Sequence, residues 1–267
     1  MSSSAPIGVF DSGMGGLTVV REMITQLPNE SIIYFGDTAR VPYGPKSPDT
    51  VLRYSREITS FLRDEGVKAM VVACNTATAH ALPALRREFD FPIIGVIEPG
   101  ARAAAAVTKT KRVGVIGTAG TIRSRAYEKE IVKLLPEANI TAQACALFVP
   151  LVEEGWLDSE VTRAVARNYL APMVSADVDT LVLGCTHYPL MKTVIGNVMG
   201  REVRLIDSAH ETARQAGEVL REFDIANVVP NSAHYRFIAS DAPDTFLALG
   251  QTFLGSPIDR VETRTLG

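Results

Sequence analysis

Hydrophobic and polar residues along this chain repeat with two alternating periods. Short runs of valine, isoleucine and alanine, typical of buried strands, are separated by longer amphipathic stretches with helical spacing. The runs predict strands at Ile7–Phe10, Ser31–Phe35, Ala69–Ala73, Ile93–Val96, Val113–Ile116, Thr141–Cys145, Thr180–Leu183, Val203–Ile206 and Tyr235–Ala239. The amphipathic stretches predict helices near Leu17–Gln26, Pro48–Glu65, Ala77–Arg87, Ile122–Leu134, Ser159–Val174, Leu190–Met199 and Glu211–Glu222. Strands that alternate with helices at this spacing indicate an α/β fold with mainly parallel sheets.

Nine predicted strands are more than one sheet usually holds, which favours two sheets and two domains. The sequence also contains two similar segments, an internal echo formed by Ile7–Gly13 and Val113–Ala119. Each segment predicts a strand, then a turn of small residues and the start of a helix. The echo is displaced by 106 positions, from Val9 to Val115. Two pseudo-symmetric α/β halves would explain this displacement, although parallel α/β proteins also reuse such turns.

Composition identifies an ordinary globular chain of 267 residues, with 46% hydrophobic and 21% charged residues. A net charge of −3 argues against nucleic acid or an anionic membrane as the main partner. No apolar run is long enough to span a bilayer, and the N-terminal residues lack the basic and apolar regions of a secretion signal. Because the three cysteines are an odd number, we expect reduced thiols and a cytoplasmic location.

The turn after the first strand, Asp11–Gly16, is rich in glycine and opens a helix. Backbone N–H groups at such a helix start suit a phosphate or a carboxylate, yet the spacing of a nucleotide-binding motif is absent. Asp11 is either a helix cap or, at the carboxyl end of a strand, an active-site residue. A second loop, Gly36–Pro45, is either a plain connection or a rigid cover over the cleft.

Cys74 and Cys185 have nearly the same surroundings in the sequence, each after an apolar β-branched run and before small polar residues. The two cysteines are 111 positions apart, close to the displacement of the echo. Open α/β folds bind their ligands at the carboxyl ends of strands. We therefore predict two acid/base thiols that face each other across one cleft. His187, two residues after Cys185, would stabilise a thiolate there when protonated.

Other interpretations of the cysteines stay open at this point. Cys185 and His187 have a Cys-x-His spacing, but a zinc site needs four clustered ligands, and the three cysteines and four histidines are scattered. A Cys–His nucleophile would use Cys185 and leave Cys74 without a role. Cys145, within a predicted apolar strand, is expected to be an inert buried residue. Glu153 follows an apolar run that reads as a strand, and a glutamate at such a turn is usually solvated.

The motifs together resemble those of glutamate racemases, the cofactor-independent enzymes of bacterial cell-wall synthesis. The resemblance rests on six segments in the family's order, from the start of the chain to beyond its middle. They are Phe10–Gly16, Tyr34–Asp37, Val41–Gly44, Ala73–Ala77, Val149–Gly155 and Leu183–Leu190.

This resemblance implies two α/β domains with the active site between them. The first domain would comprise residues 1–97 and 208–267, and the second residues 98–207. The resemblance further implies interconversion of L- and D-glutamate without pyridoxal phosphate or metal, which supplies D-glutamate for peptidoglycan synthesis. Cys74 and Cys185 would each handle the α-proton on one face of the substrate. Asp11 and His187 would assist the two thiols, with Glu153 near His187.

The same resemblance implies a set of residues that hold the amino and carboxylate groups of the substrate. These are Asp11, Ser12, Pro42, Tyr43, Gly44, Cys74, Asn75, Thr76, Thr118, Thr121, Cys185, Thr186 and His187. Family members are usually homodimers, and some depend on a peptidoglycan-precursor activator. Neither nucleic acid nor a membrane is an expected partner.

Two alternatives to this function stay open. An aspartate or hydantoin racemase would use the same chemistry in a different pocket, although the segment Cys185–Leu190 favours glutamate. A ligand-binding or regulatory protein on the same scaffold, such as one that binds DNA gyrase, belongs to a different class. No basic stripe in the sequence predicts gyrase binding.

Overall fold

The protein, described over residues 2–266 by a computed structural model, contains ten strands in two sheets. The strands are β1 (Ile7–Asp11), β2 (Ile32–Gly36), β3 (Ala69–Val72), β4 (Ile93–Gly95), β5 (Arg112–Gly117), β6 (Asn139–Ala144), β7 (Thr180–Gly184), β8 (Arg204–Asp207), β9 (Tyr235–Ala239) and β10 (Val261–Thr263). The helices are α1 (Leu17–Gln26), α2 (Pro48–Asp64), α3 (Asn75–Glu88), α4 (Ile97–Val107), α5 (Ala119–Ser124), α6 (Ala126–Leu134), α7 (Phe148–Glu153), α8 (Glu160–Ser175), α9 (Lys192–Met199), α10 (Ser208–Glu222) and α11 (Pro243–Leu254). Short 3-10 helices lie at Thr38–Arg40 and Tyr188–Met191.

The two sheets repeat one strand order. The first sheet has the order β10-β9-β2-β1-β3-β4 and the second has the order β6-β5-β7-β8, and all of these pairs are parallel. The order β2-β1-β3-β4 therefore recurs as β6-β5-β7-β8, so that β1 corresponds to β5 and β3 to β7. We call the first sheet with its connecting helices the first half, and the second sheet with its helices the second half. The predicted α/β fold with two pseudo-symmetric halves is confirmed.

The central strands are mostly apolar and buried because helices cover both faces of each sheet. All five residues of β1 and of β7 are buried. The carboxyl ends of parallel strands meet at one edge of a sheet, and the predicted site residues lie at these edges. Asp11 ends β1 and Cys74 follows β3, while Thr118 follows β5 and Cys185 follows β7. The duplication thus gives the two cysteines equivalent positions.

Several elements differ from the sequence predictions. The predicted helix Ile122–Leu134 is instead part of α5 and all of α6, because Arg125 between them adopts a left-handed conformation with φ of 55°. Helices α4, α7 and α11 and strand β10 were not predicted. The apolar run before Glu153 forms helix α7 and not a strand, since a short apolar run has no periodicity that separates the two.

The interpretation of Cys145 needs a small correction. Strand β6 ends at Ala144, so Cys145 follows the strand and is not part of it, although it is fully buried as expected. The strands of the first sheet come from residues 7–95 and 235–263, and those of the second from residues 112–207. The domain boundaries near residues 98 and 208 lie between these ranges and stay a prediction. Met1 and Gly267, at the outer ends of the first domain, lie outside the described residues.

Candidate active site

Cys74 and Cys185 are buried free thiols at the corresponding ends of β3 and β7. Their exposed fractions are 6% and 7%. Cys74 caps the start of α3, where its sulfur accepts a hydrogen bond from the backbone N–H of Ala77 at 3.5 Å. The Cys74 sulfur lies 3.7 Å from the hydroxyl of Ser12, and the neighbouring Asp11 lies 3.5 Å from the hydroxyl of Thr186, the residue after Cys185. The turn after β1 therefore contacts both cysteine segments.

Asp11 links the two halves of this site. One of its carboxylate oxygens accepts from the backbone N–H of Gly13 at 3.0 Å, and the other accepts from the Thr186 hydroxyl at 3.5 Å. Burial raises the pKa of Asp11, opposed by the charge of His187 and by backbone hydrogen bonds. Helix α1 begins after Gly16, which has no side chain to cap it, and the backbone N–H groups of this turn lower the pKa of Asp11. The backbone N–H of Gly13 thus faces the carboxylate of Asp11 itself.

Asp11 also sets the electrostatic environment of Cys74. Burial raises the pKa of the Cys74 thiol to about 12, and the nearby charge of Asp11 acts in the same direction. The thiol donates to the hydroxyl of Ser12 at 3.7 Å. Without a ligand, Cys74 is therefore protonated at neutral pH.

Cys185 has the opposite kind of neighbour. Its sulfur lies 4.0 Å from Nδ1 of His187, and Nε2 of His187 lies 3.1 Å from a carboxylate oxygen of Glu153 at the end of α7. Burial acts to lower the pKa of His187, but the hydrogen bonds and charges of Cys185 and Glu153 raise it to about 10. The imidazole is therefore protonated at neutral pH, with one N–H directed to Glu153 and the other toward the sulfur.

Three threonine hydroxyls meet across the two halves. Thr118 caps α5, and its hydroxyl lies 2.8 Å from that of Thr76 and 3.0 Å from that of Thr121. Gly44 lies directly against Thr118, because a Cβ atom on Gly44 would be 2.9 Å from the Thr118 Cβ. The threonines and Gly44 thus form a tight contact between the halves beside the thiols.

The loop that carries Gly44 is anchored by buried Asp37. This carboxylate accepts from the Tyr43 hydroxyl, from Nε of Arg40 at 2.8 Å and from the Ser240 hydroxyl at 3.0 Å. The peptide bond between Val41 and Pro42 is cis, and Tyr43 is only 1% exposed. Asp37 therefore holds the predicted substrate residues of this loop in place, a role that the sequence analysis missed.

Two further contacts of His187 were also missed. A Cβ atom on Gly15 would lie 2.3 Å from the Thr186 hydroxyl and 2.5 Å from Nδ1 of His187, so the turn before α1 packs directly on this pair. The ring of Phe253, in α11, meets the His187 ring edge to face with centroids 5.1 Å apart. Gly15 lies in the glycine-rich turn, and glycines at a turn indicate that another part of the chain or a ligand packs closely against the backbone. Phe253 lies in a segment without a motif, so no sequence pattern indicated its contact.

The hydrogen bond between Asn75 and Tyr127 was missed in the same way. The Tyr127 hydroxyl donates to Oδ1 of Asn75 at 2.7 Å, and both residues are 2% exposed. Nδ2 of Asn75 is buried and has no hydrogen-bond partner within residues 2–266. The amide therefore has two N–H groups available to a ligand.

A metal site finds no support in the geometry. Over the described chain, no group of three or more His, Cys, Asp or Glu side chains is arranged to hold a metal ion. The zinc interpretation of Cys185 and His187 therefore lacks its remaining ligands.

The helices between residues 2 and 266 include none that is long and apolar enough to cross a membrane.

Fold and site together define a class of protein: an α/β protein built from two like halves, with two buried free thiols at equivalent strand ends. The family model for Asp/Glu/Hydantoin racemases matches residues 7–216. The chain belongs to this family. The expectation of a racemase enzyme is confirmed.

Individual relatives support the same assignment. The chain is 57% identical to a glutamate racemase of Geobacter metallireducens, over 96% of this chain and 94% of the relative. A crystal structure of the glutamate racemase of Francisella tularensis in complex with D-glutamate has a TM-score of 0.92 and 38% identity, covering 98% of each chain. That of the Escherichia coli enzyme, in complex with L-glutamate and the activator UDP-MurNAc-Ala, has a TM-score of 0.81 and 29% identity, covering 98% of this chain and 99% of that one. The resemblance to glutamate racemases is confirmed.

Proposed function

We propose that this protein interconverts L- and D-glutamate by moving the α-proton between Cys74 and Cys185. The observation that carries the proposal is the pair of buried thiols at equivalent strand ends, one beside a carboxylate and the other beside an imidazolium. Glutamate as the substrate is supported by the names of the curated relatives and by the ligands of the two related structures.

Inversion of a carbon centre by proton transfer needs a base on one face and an acid on the other. In the starting state that we propose, Cys185 is a thiolate next to the His187 imidazolium and Cys74 is a thiol. The thiolate removes the α-proton, and the two electrons of the C–H bond stay on the substrate as an enediolate. Cys74 then gives its proton to the opposite face. The thiols have exchanged states, which is the starting point for the reverse reaction.

The α-hydrogen of an amino acid is a very weak acid, so the site must stabilise the charge that develops on the α-carboxylate. We propose that the N–H groups of Asn75 and the hydroxyls of Thr76 and Thr186 serve this purpose. Ser12, Pro42, Tyr43, Gly44, Thr118 and Thr121 would hold the amino group and the second carboxylate. Asp11 would assist Cys74, as His187 and Glu153 assist Cys185. The exclusion of water from this buried site strengthens each of these interactions.

The structure represents a closed arrangement of such a site. The thiols, Asn75 and Thr76 are all buried, and the hydroxyls of Thr76 and Thr118 bond across the two halves. Substrate entry therefore requires that the contacts of Thr118 with Thr76 and Gly44 open. We infer that the two domains separate at these contacts to admit glutamate and close around it.

The activity itself has a direct test. Incubation of the protein with L-glutamate in deuterated water is expected to give D-glutamate that carries deuterium at the α-carbon, because the incoming proton comes from a thiol in exchange with solvent. Chiral chromatography and mass spectrometry measure the two products. L-Glutamate that stays unlabelled and uninverted contradicts the proposal. Aspartate and hydantoins, assayed in parallel, test the two related substrate classes.

The alkaline limb of activity is expected to depend on Glu153. Glu153→Gln keeps a hydrogen-bonding group next to His187 but removes the charge that helps to raise the pKa of the imidazolium to about 10. The imidazolium then loses its proton at lower pH, so the fall of kcat at high pH should move down by about one pH unit. Profiles of kcat against pH for the two enzymes measure this shift.

Glu154→Gln is the matched control, since Glu154 is the next residue and its side chain is exposed. Its pH profile should coincide with that of the wild type. Equal shifts in the two variants would show that the general charge of α7, and not the contact with His187, controls the profile.

The wider role follows from the proposed activity. D-Glutamate formed by this enzyme would supply peptidoglycan synthesis, and the activator bound by the Escherichia coli relative fits such a link. A homodimer, a precursor activator and a cytoplasmic location stay predictions for this chain.

A further inference from the structure

The amide nitrogen of Asn75 is buried and has no hydrogen-bond partner within residues 2–266. Asn75 is the first residue of α3, directly after Cys74, and its side chain is almost completely buried. Its carbonyl oxygen accepts from Tyr127, whereas its amide nitrogen has no hydrogen-bond partner in the part of the chain that the structure describes. An unpaired buried N–H costs stability, so its presence next to Cys74 points to a ligand group that accepts its hydrogen bond.

The ring of Tyr127 has little room to move. It lies in the first turn of α6, and two glycines make space for it. A Cβ atom on Gly184 would lie 3.0 Å from Cε2 of the ring, and one on Gly100 would lie 3.3 Å from its hydroxyl oxygen. The hydroxyl is therefore held at a defined position against Asn75.

The hydrogen bond from Tyr127 orients the Asn75 amide. Burial raises the pKa of the phenol, while the hydroxyl of Ser208 acts in the opposite direction, and the phenol keeps its proton throughout the neutral range. In the structure this hydroxyl donates to the amide oxygen of Asn75 at 2.7 Å. An amide that accepts through its oxygen has its nitrogen on the other side.

We propose that Tyr127 is a positioning residue that fixes the Asn75 amide so that its N–H groups donate to the α-carboxylate of the substrate. A freely turning amide would present its oxygen to this carboxylate part of the time, and two acceptors repel each other. The effect is largest when the α-proton leaves, because negative charge then grows on the carboxylate. This inference rests on the proposed function and assigns to Tyr127 a part in it.

Tyr127→Phe removes only the hydroxyl that orients the amide. We expect kcat to fall about tenfold while KM changes by no more than about twofold, because the lost interaction matters most in the transition state. Asn75→Ala should lower kcat by about a hundredfold, as does loss of a comparable donor elsewhere. Adding Tyr127→Phe to Asn75→Ala should cause no further loss. Steady-state kinetics of the four enzymes forms a double-mutant cycle.

A control at the partly buried Tyr169 separates this coupling from loss of a tyrosine hydroxyl in general. The Tyr169 hydroxyl, in α8 of the same half, accepts from the backbone N–H of Leu147 at 3.3 Å. Tyr169→Phe should leave kcat unchanged both alone and with Asn75→Ala. Thermal melts of all the variants show that each one folds. Should Tyr127→Phe fail to fold, Gly100→Ala replaces it in the cycle, because the added methyl presses on the Tyr127 ring but leaves the hydroxyl present.

The outcomes distinguish the two levels of the proposal. A tenfold loss that disappears in the Asn75→Ala background supports the positioning role. The positioning role is overturned if the kcat losses of Tyr127→Phe and Asn75→Ala multiply in the variant with both substitutions. It is also overturned if Tyr127→Phe leaves kcat unchanged. The proposed racemase activity is unaffected by either result. A wild-type enzyme that does not racemise glutamate overturns the proposed function and this inference with it.

Discussion

Cys74→Ala and Cys185→Ala are each expected to reduce racemisation at least ~1000-fold and yet to keep one half of the chemistry. Each variant retains a single thiol on one face of the substrate. That thiol can still remove the α-proton of the enantiomer whose hydrogen points toward it, and can return a solvent proton to the same face. The result is exchange with solvent without inversion.

The decisive measurement follows the α-proton signal of L- and D-glutamate separately, by proton NMR in deuterated water. One cysteine variant should exchange only one enantiomer, and the other variant only the opposite one. Circular dichroism of the same samples reports inversion. If both variants exchange the same enantiomer, the two sulfurs act on one face, and the two-base mechanism is wrong.

Cys145→Ala is the matched control for these variants. Cys145 is also a free buried thiol, but it follows β6, and its sulfur donates to the backbone oxygen of Gln143. We expect it to keep racemisation close to that of the wild type, with a small loss of thermal stability from the smaller side chain. A large loss of activity in Cys145→Ala would mean that removal of any buried thiol disturbs the site.

Cys74 lies near a carboxylate and Cys185 near an imidazolium, and this difference affects the kinetic constants for L- and D-glutamate. L- and D-glutamate have equal free energies, so kcat/KM must be the same for both in any variant. Asymmetry between Asp11 near Cys74 and His187 near Cys185 can therefore appear only in kcat and KM taken separately. Substitutions of Asp11 and of His187 are best compared by these two constants and not by their ratio.

Much of the fold was accessible from the sequence, because both sheets are parallel and covered by helices. Strands β1 and β7 are buried throughout, and periodicity located them to within one residue. The echo between Ile7–Gly13 and Val113–Ala119 correctly indicated that the strand order is repeated. Cys74 and Cys185 could be found because a residue that directly follows a buried strand lies at the carboxyl edge of the sheet.

The remaining parts of the site depend on contacts between distant segments. Tyr127 meets Asn75 across 52 positions and Phe253 meets His187 from the other half of the molecule. Neither tyrosine nor phenylalanine in a helix differs by pattern from an ordinary core residue. Asp37 lies within a motif, but one of the three side chains that donate to it is that of Ser240, far along the chain. Such partners become apparent only when the chain is folded.

Gly15→Ala is expected to reduce kcat/KM about a hundredfold and to lower the melting temperature by only a few degrees. The added methyl would stand 2.3 Å from the hydroxyl of Thr186 and 2.5 Å from Nδ1 of His187, which is closer than such atoms approach. Gly15 has no positive φ, so alanine itself causes no backbone strain there. The methyl must instead displace His187 from Cys185 or hold the halves apart. A displacement of about 1 Å in an active site can cost a hundredfold in rate.

Gly13→Ala provides the comparison within the same turn. A Cβ atom on Gly13 would meet only Cγ2 of Val41, at an ordinary distance of 3.4 Å, and the backbone N–H that binds Asp11 is kept. We expect this variant to lose no more than about threefold in kcat/KM. Equal activities of the two alanine variants would show that the turn tolerates a methyl against His187. A much greater loss in Gly15→Ala alone, in an enzyme that is still folded at the assay temperature, would show that activity requires the close contact of this turn with Thr186 and His187.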